Sequence, residues 1–186
     1  MADYHKMWEE LGMDVETHDQ LCEVLPQAFG DVYLSQENRP EGMDYYNFVV
    51  AEIHGVRPAE LIEHQKKGGK VFGTFCVYVP DEVVFAADAI ATGLCGGSQF
   101  WVPGGEKVLP TNTCPLIKAS VGARLDRTCP FFRIADMYVG ETTCDGKKKA
   151  WEILAEDVPV HVMDLPQMKR KRTSKHGRMR SVLRRC

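Results

Sequence analysis

Five regularly spaced cysteines are the residues of this chain best suited to chemistry. Eighteen residues separate Cys76 from Cys95 and Cys95 from Cys114, and fourteen separate Cys114 from Cys129 and Cys129 from Cys144. The chain has no C-x-x-C pair, the spacing that structural zinc sites and thioredoxin-like redox sites normally use. Two interpretations stay open. Either the thiols are gathered from separate loops around a larger inorganic body, such as an iron–sulfur cluster, or they are ordinary buried cysteines.

The remaining composition indicates a reducing compartment. The chain has seven cysteines in 186 residues and begins MADYHKMWEE, with acids where a signal peptide has a basic and then an apolar stretch. It has no run of about 18 apolar residues that could span a membrane. We therefore expect reduced thiols, a cytoplasmic location and no membrane association.

The elements that must position these thiols follow a strand and helix alternation from residue 70 onwards. Apolar runs predict strands, and amphipathic runs that begin with Pro80 or Lys147 predict helices, in the order 71–79, 80–90, 134–140, 147–156 and 158–165. Alternating strands and helices predict an α/β fold, with a flavodoxin-like or Rossmann-like parallel sheet covered by helices on both faces. In open parallel sheets, ligands bind beyond the carboxyl ends of the strands.

Four of the cysteines lie at predicted strand ends or helix starts. Cys76 is near the end of a predicted strand, Cys114 and Cys129 each precede a proline, and Cys144 follows a predicted strand. Backbone N–H groups and the helix dipole at such positions stabilise a thiolate, which is the form that binds metal. The same N–H groups can donate hydrogen bonds to the sulfides of an iron–sulfur cluster.

Residues 1–69 are predicted to form a helical N-terminal segment before the α/β unit at 70–168. Three apolar stripes at helical spacing support it, the first around Trp8, the second from Leu21 to Ala28 and the third from Tyr45 to Ile53. A loop is expected over 31–42, and Pro58 is expected at the first position of a further helix.

Charged residues close to Cys144 have two interpretations each. Glu141 and Asp145 could handle protons, or could simply stabilise the positive end of a helix. Lys147 and its two lysine neighbours could attract an anion such as a CoA phosphate, but a solvated first helical turn is favoured. His161, in an apolar strand, is expected to be a core residue with its hydrogen bonds satisfied rather than a base.

Residues 169–186 form a basic tail that differs from the rest of the chain. The tail holds nine of the 23 Lys and Arg residues and no acid, which leaves 14 basic and 26 acidic side chains, a net charge of −12, in residues 1–168. Such a block is typical of a disordered segment. A nucleic-acid-binding tail is the alternative, and the acidic body argues against it.

Several strings of residues resemble one enzyme family, the 2-hydroxyacyl-CoA dehydratases, which include double-cubane-cluster proteins and benzoyl-CoA reductase subunits. The resemblance covers about residues 50–170, and its most specific parts are GETTCDGKKK and the two Cys-Pro sites, accompanied by GTFCVYVPDEVVFAADA, GLCGGS and VPVHVMDLPQMK. It implies two flavodoxin-like halves with an iron–sulfur cluster between them. It also implies radical dehydration of a CoA ester after one-electron activation by an ATP-dependent iron–sulfur protein, and a homodimer or heterodimer with a related subunit.

The resemblance implies a division among the cysteines. Cys76 and Cys114 are similar to ligand positions shared with single-cubane dehydratases, which bind a 4Fe–4S cluster. Cys129 and Cys144 are similar to the additional pair of double-cubane proteins, which bind an 8Fe–9S cluster and reduce small molecules. The second pair favours the double-cubane branch, and Cys95 is a weaker ligand candidate.

The family pattern ends where the basic tail begins, and family members continue into a second α/β half. We therefore expect a truncated or frameshifted chain that carries half of a cluster site and does not turn over substrate alone. Three function classes stay open for this chain: a dehydratase subunit, a double-cubane reductase, and an inactive fragment that binds a related subunit.

Overall fold

A four-stranded parallel sheet forms the centre of the computed structural model, which describes residues 4–76, 78–94 and 96–166. The strand order is β2-β1-β3-β4. The strands are β1 (Lys70–Thr74), β2 (Ala89–Gly93), β3 (Met137–Glu141) and β4 (Val160–Met163). Every strand pair is parallel, so the predicted α/β class and flavodoxin-like arrangement are confirmed.

The strand order creates a switch point between β1 and β3. The chain leaves β1 towards β2 on one side and later returns to place β3 on the other side, with Phe72 opposite Met137 and Thr74 opposite Val139. Connections therefore diverge at the carboxyl ends of these two strands. In flavodoxin-like sheets this crevice is where ligands bind.

Side chains alternate between two cores along each strand, as the two-residue period of a strand requires. Val71 and Tyr138 enter the main core, and Phe72 and Val139 enter a smaller core with Val84. Helices thus lie on both faces, which confirms that part of the prediction. The helices after β1 are α5 (Asp81–Ala86), α6 (Val102–Glu106), α7 (Pro115–Leu125), α8 (Pro130–Ile134) and α9 (Asp145–Leu154).

The strand β2 was not predicted from the sequence. A helix was expected to run through Ile90, but α5 ends at Ala86, Asp88 adopts a left-handed φ of 53°, and Ile90 lies in β2. Alanine-rich residues between two short elements carry little strand signal of their own, and pairing with β1 decides their conformation. Pro80 is the N-cap of α5 rather than its first residue.

The N-terminal segment is helical, as predicted, but its apolar stripes are not all buried. Val24 is 64% exposed and Phe48 is 58% exposed, although Leu21 is buried. Helical structure also continues into the expected loop as a π-helical turn, and Pro58 is the third residue of its helix. The helices are α1 (His5–Glu10), α2 (Val15–Phe29) with the π-helical turn Gly30–Leu34, α3 (Met43–Ala51) and α4 (Val56–Lys66).

Several hydrogen bonds attach this segment to the α/β unit. Arg133 in α8 donates from Nε to the carbonyl oxygen of Leu11 (2.8 Å), and the Gln65 amide donates to Asp136 (2.9 Å). Asp136 also accepts the N–H of Val71 at 2.8 Å. The predicted unit boundaries at 69 and 168 stay predictions, and the predicted tail lies outside the described residues.

Among the residues that the structure describes, no helix is long and apolar enough to cross a membrane.

Candidate functional site

Two of the predicted cysteines flank the switch point of the sheet. Cys76 follows β1 by two residues and has a left-handed φ of 71°, which turns the chain away from the strand. Cys144 follows β3 by three residues. Both side chains are exposed and neither is in a disulfide. The parallel strands end at the same edge of the sheet, so these two thiols belong to one edge.

Two of the thiols, those of Cys114 and Cys144, lie at the starts of helices, as predicted. Cys114 is the N-cap of α7, and Pro115 occupies the first helical position, where a proline loses no hydrogen bond. Cys144 is the N-cap of α9, and its Sγ accepts the N–H of Lys147 at 3.5 Å. Free N–H groups at a helix start stabilise a thiolate.

A glycine allows the starts of α7 and α9 to approach each other. A Cβ added at Gly146 would lie 2.9 Å from Cδ1 of Ile117 and 3.8 Å from Cγ2 of Thr113. Cys144 Sγ would lie 4.0 Å from the same Cβ. Because Thr113 directly precedes Cys114, this close packing brings the surroundings of the Cys114 and Cys144 thiols together.

An apolar cavity of about 70 Å³ lies beside these helix starts. Cys76 and Phe75 from the loop after β1 line one side, Ile117 in α7 lines another, and Trp151 and Lys147 in α9 complete the wall. The cavity connects the loop that carries Cys76 with the first turn of α7 and of α9. Three of the predicted thiols, Cys76, Cys114 and Cys144, are therefore on the elements around one cavity, and we call them the rim thiols.

A buried ion pair supports the start of α9. Glu141 is fully buried, and one of its carboxylate oxygens accepts hydrogen bonds from the Lys147 ammonium and the Thr143 hydroxyl. Its other oxygen, Oε2, has no hydrogen-bond partner among the described residues. The favoured prediction of a solvated first turn is thus wrong for Lys147, whereas Lys148 and Lys149 are exposed and pair with acids of their own helix.

Cys129 lies in different surroundings from the rim thiols. It begins α8 as predicted, but α8 leads into the start of β3 instead of following a strand end, and the thiol is buried in the main core. Burial raises the pKa of Cys129 to about 11, although the N–H groups of Phe132 and Phe131 act in the opposite direction. Its assignment as a ligand stays a prediction, as does that of Cys95, which lies outside the described residues.

Comparison with known proteins identifies the family. A family model for the "2-hydroxyglutaryl-CoA dehydratase, D-component" matches residues 76–185, more than half of the chain. The chain belongs to this dehydratase family. The match contains all three rim thiols, and it reaches further than the residues that carried the resemblance, since it includes most of the basic segment.

One curated relative supports the same assignment. The chain is 46% identical over 106 residues to the Escherichia coli (strain K12) protein "Putative dehydratase subunit YjiM". The aligned part is 57% of this chain and 28% of the relative. The chain thus spans less than a third of the relative's length, and the activity of the whole relative is not transferred to it by this similarity.

His161 differs from its prediction. Its side chain is only partly exposed, but its Nε2 atom is buried and has no hydrogen-bond partner in the described part of the chain. The expected satisfaction of its hydrogen bonds is therefore wrong. His161 lies in the edge strand β4 and is paired in register with Val139, the middle residue of β3, so it does not lie at the carboxyl ends of the strands, which Cys76 and Cys144 follow.

The structure brings together a second group of metal-binding residue types that was not predicted from the sequence. His18, Cys22 and His54 place one donor atom each within 4.8 Å of one another, and they are the one such group of His, Cys, Asp or Glu in the described residues. The available signal was the four-residue spacing of His18 and Cys22 on a helix, which puts them on one face. His54 is 36 residues further on, and no local pattern connects it to them.

Proposed function

We propose that this chain is part of an iron–sulfur-dependent 2-hydroxyacyl-CoA dehydratase and that Cys76, Cys114 and Cys144 bind its cluster. The observation that carries the proposal is the placement of three exposed free thiols around the switch point of the sheet: Cys76 lines the cavity there, and Cys114 and Cys144 are the N-caps of the two helices whose first turns line it. Membership of the dehydratase family supports the reaction class. We also propose that the substrate is a 2-hydroxyacyl-CoA ester.

The donor set fits an iron–sulfur cluster better than a single metal ion. No three of these thiols lie within 4.8 Å of one another, whereas the ligands of one zinc ion are all in contact with the same small cation. A cluster of several irons spaces its ligands more widely and takes thiolates from separate loops. Three thiols leave room for one further ligand of a 4Fe–4S cluster.

The surroundings of the rim thiols would stabilise a negatively charged group, such as an iron–sulfur cluster with thiolate ligands. Cys114 and Cys144 lie at the positive ends of α7 and α9. Lys147 also lines the cavity, and its ammonium binds Glu141. Apolar side chains such as Ile117 and Trp151 form most of the remaining wall and exclude water, which strengthens every charge interaction inside.

A bound cluster of this kind supplies single electrons at low potential. The residues of this chain would orient it, keep water from one side of it, and tune its potential through the N–H groups at the two helix starts. We propose an ATP-dependent iron–sulfur activator as the electron donor for this site.

The double-cubane alternative has weaker support. It depends on Cys129 and Cys144 acting as a pair, but Cys129 is buried in the main core and Cys144 is exposed at the edge of the sheet. A single cubane held by the rim thiols therefore fits the described residues better. Reduction of a small molecule by an 8Fe–9S cluster remains the second candidate in the test below.

A related subunit is the proposed structural partner. Exposed apolar side chains on α2 and on α3 support it, because an apolar helix face that a chain leaves uncovered is a surface that a partner can bury. Several large residues there are at least 40% exposed, namely Val24, Leu25, Tyr45, Tyr46, Phe48 and Val49. Association with such a subunit would also allow a second chain to complete the cluster site.

Anaerobic dehydration assays test the proposal. The chain is combined with a related full-length subunit, the activator protein, ATP and a series of 2-hydroxyacyl-CoA esters, and enoyl-CoA formation is measured. We expect turnover that falls at least about 100-fold when the rim thiols Cys76, Cys114 and Cys144 are all replaced by serine, because each ligand must be a thiolate. Equal rates with the triple variant would contradict the proposal. ATP-dependent reduction of small molecules without dehydration would favour the double-cubane alternative.

A further inference from the structure

A compact group of two histidines and one cysteine lies in the N-terminal helical segment, away from the rim thiols. His18 and Cys22 are one turn apart on α2, and His54 lies in the turn between α3 and α4. His18 Nε2 is 2.9 Å from His54 Nδ1, and Cys22 Sγ is 3.6 Å from His18 Nε2. His18 is fully buried, while Cys22 and His54 are partly exposed.

We propose that His18, Cys22 and His54 bind a transition-metal ion, of which Zn²⁺ is the best match, through His18 Nε2, Cys22 Sγ and His54 Nδ1. We call these three residues the helical metal site. It belongs to the N-terminal segment and is independent of the proposed cluster at the sheet edge.

The donor atoms of the three residues all lie within 4.8 Å of one another, and the two separations that involve His18 are close to those of tetrahedral zinc. Bond lengths of about 2.05 Å for Zn–N and about 2.3 Å for Zn–S place a nitrogen and a sulfur ligand roughly 3.5 Å apart at the tetrahedral angle. The observed separation of His18 Nε2 and Cys22 Sγ is 3.6 Å. Two nitrogen ligands would be roughly 3.3 Å apart, so the 2.9 Å between the histidines needs to open by only a few tenths of an ångström.

Donor chemistry also favours zinc over harder cations. Two imidazoles and a thiol are soft or borderline ligands, which suit Zn²⁺ and not Mg²⁺ or Ca²⁺. Each imidazole offers one ring nitrogen as a donor, and the thiol offers its sulfur as a thiolate. The Cys22 thiol has a pKa raised by burial and by Asp19, so zinc binding would release its proton to solvent.

Neighbouring groups hold the ligands in place. The Trp8 indole donates from Nε1 to the carbonyl oxygen of His54 at 2.8 Å, which fixes the turn that carries this ring. The same indole packs edge-on against the His18 ring, with centroids 4.2 Å apart. Outer contacts of this kind orient the ligands of metal sites. A metal ion here would connect α2 with the turn between α3 and α4, and Trp8 of α1 packs against both.

Three protein ligands leave a fourth position for water or a small ligand. Cys22 and His54 are partly exposed, so an ion can reach the group from solvent. A site of this composition in a segment built from short helices would stabilise that segment by joining parts that are 36 residues apart.

Cobalt binding to the purified full-length chain tests the helical metal site. The test uses a background in which Cys76, Cys114 and Cys144 are replaced by serine, so that the rim thiols cannot bind the ion. We expect one equivalent of Co²⁺ with the visible absorption of a tetrahedral site and a sulfur-to-cobalt charge-transfer band. Zn²⁺ should displace it. His161→Gln serves as the matched histidine control and should leave binding unchanged.

Ligand variants decide the assignment. Cys22→Ser and His54→Gln should each weaken Zn²⁺ binding at least about 100-fold, since loss of an outer contact alone costs 10-fold to 100-fold at such sites. Binding that is unchanged in both variants, or no binding by the background chain, would overturn the proposal.

Protection of the Cys22 thiol by Zn²⁺ tests the site without any ligand variant. It therefore applies even if the ligand variants do not fold. Alkylation of Cys22 is followed by peptide mass spectrometry in the same background chain with and without Zn²⁺. We expect saturating Zn²⁺ to slow alkylation of Cys22 at least tenfold, because a coordinated thiolate is not free to react, while Cys186 reacts at an unchanged rate. Equal rates for Cys22 with and without Zn²⁺ would overturn the proposal.

Discussion

Glu141 and Lys147 illustrate how a single contact stabilises the edge of the sheet where the rim thiols lie. Glu141 is fully buried and its main cationic partner is Lys147, which is 18% exposed. A carboxylate in this position is stable only while the ammonium remains, because a buried charge without a partner carries a large desolvation cost. The pair also places α9, whose N-cap is Cys144.

Removal of one partner of this pair should lower the free energy of unfolding more than removal of both partners. We expect Lys147→Met to lower the free energy of unfolding by about 3–5 kcal/mol, since it leaves Glu141 buried and unpaired. The double variant with Glu141→Leu should recover most of that loss, because no charge is then left unpaired. Urea unfolding of the three proteins measures the values. A double variant less stable than Lys147→Met alone would contradict this account.

Asp136 makes the attachment of α4 to the sheet sensitive to acid. Burial alone would raise the pKa of Asp136, but hydrogen bonds from the Val71 N–H, the Gln65 amide and the Lys70 ammonium outweigh it, and the net shift is downward. A carboxylate with a lowered pKa stabilises the fold fully above its unfolded pKa of about 3.9 and loses that contribution as pH falls through the folded value.

The Asp136→Asn variant should therefore show a weaker acid dependence of stability. We expect the wild-type chain to lose more unfolding free energy than this variant as pH falls from about 5 towards 2, while the two curves run parallel above pH 5. Thermal unfolding at a series of pH values measures this difference, and Asp44→Asn at an exposed position is the control. Identical slopes for wild type and Asp136→Asn would contradict the assignment.

Among the elements, α7 and α9 depend most on a small residue at their contact. Gly146 has no side chain, and even a Cβ there would lie 2.9 Å from Ile117. A branched side chain would separate the starts of the two helices, which carry Cys114 and Cys144 as N-caps.

Gly146→Val should thus disturb the rim thiols without removing any of them. We expect the variant to fold with about 1–3 kcal/mol less stability, which is typical of overpacking, and to bind less iron than wild type after anaerobic iron–sulfur reconstitution. Gly42→Val, at a glycine with open space around its Cβ position, is the matched control. Iron binding equal to that of wild type would show that the separation of α7 and α9 does not matter for the site.

The sequence predicted elements well where local signals were strong. The strand before Cys76, the helices that begin at Cys114 and Cys144, and the strand before Cys144 all appear near their expected positions. β2 was missed because its residues have weak strand preference and are held by pairing with β1. Cys129 was predicted at a strand end or helix start because a proline follows it, and it is the N-cap of α8. The burial of its thiol in the main core depends on tertiary packing, which its local sequence does not show.

On the scale of the whole molecule, the fold class and the family followed from alternating elements and specific strings, and both are confirmed. The exposed apolar faces of α2 and α3 could not be foreseen, because a helical stripe predicts burial without saying which surface covers it. His18, Cys22 and His54 were missed for a related reason: their approach is a tertiary contact between distant parts of the chain.

The central claim is that the rim thiols of this chain hold an iron–sulfur cluster, and iron content after anaerobic reconstitution tests it most directly. Bound iron and acid-labile sulfide are counted per chain for wild type, for the triple serine variant of Cys76, Cys114 and Cys144, and for Cys186→Ser as a thiol control outside both proposed metal sites. We predict the same iron and sulfide content in wild type and in Cys186→Ser, and a loss of all of the sulfide-bound iron in the triple variant. Iron and sulfide retained by the triple variant at the wild-type level, or no sulfide bound by wild type, would contradict the claim.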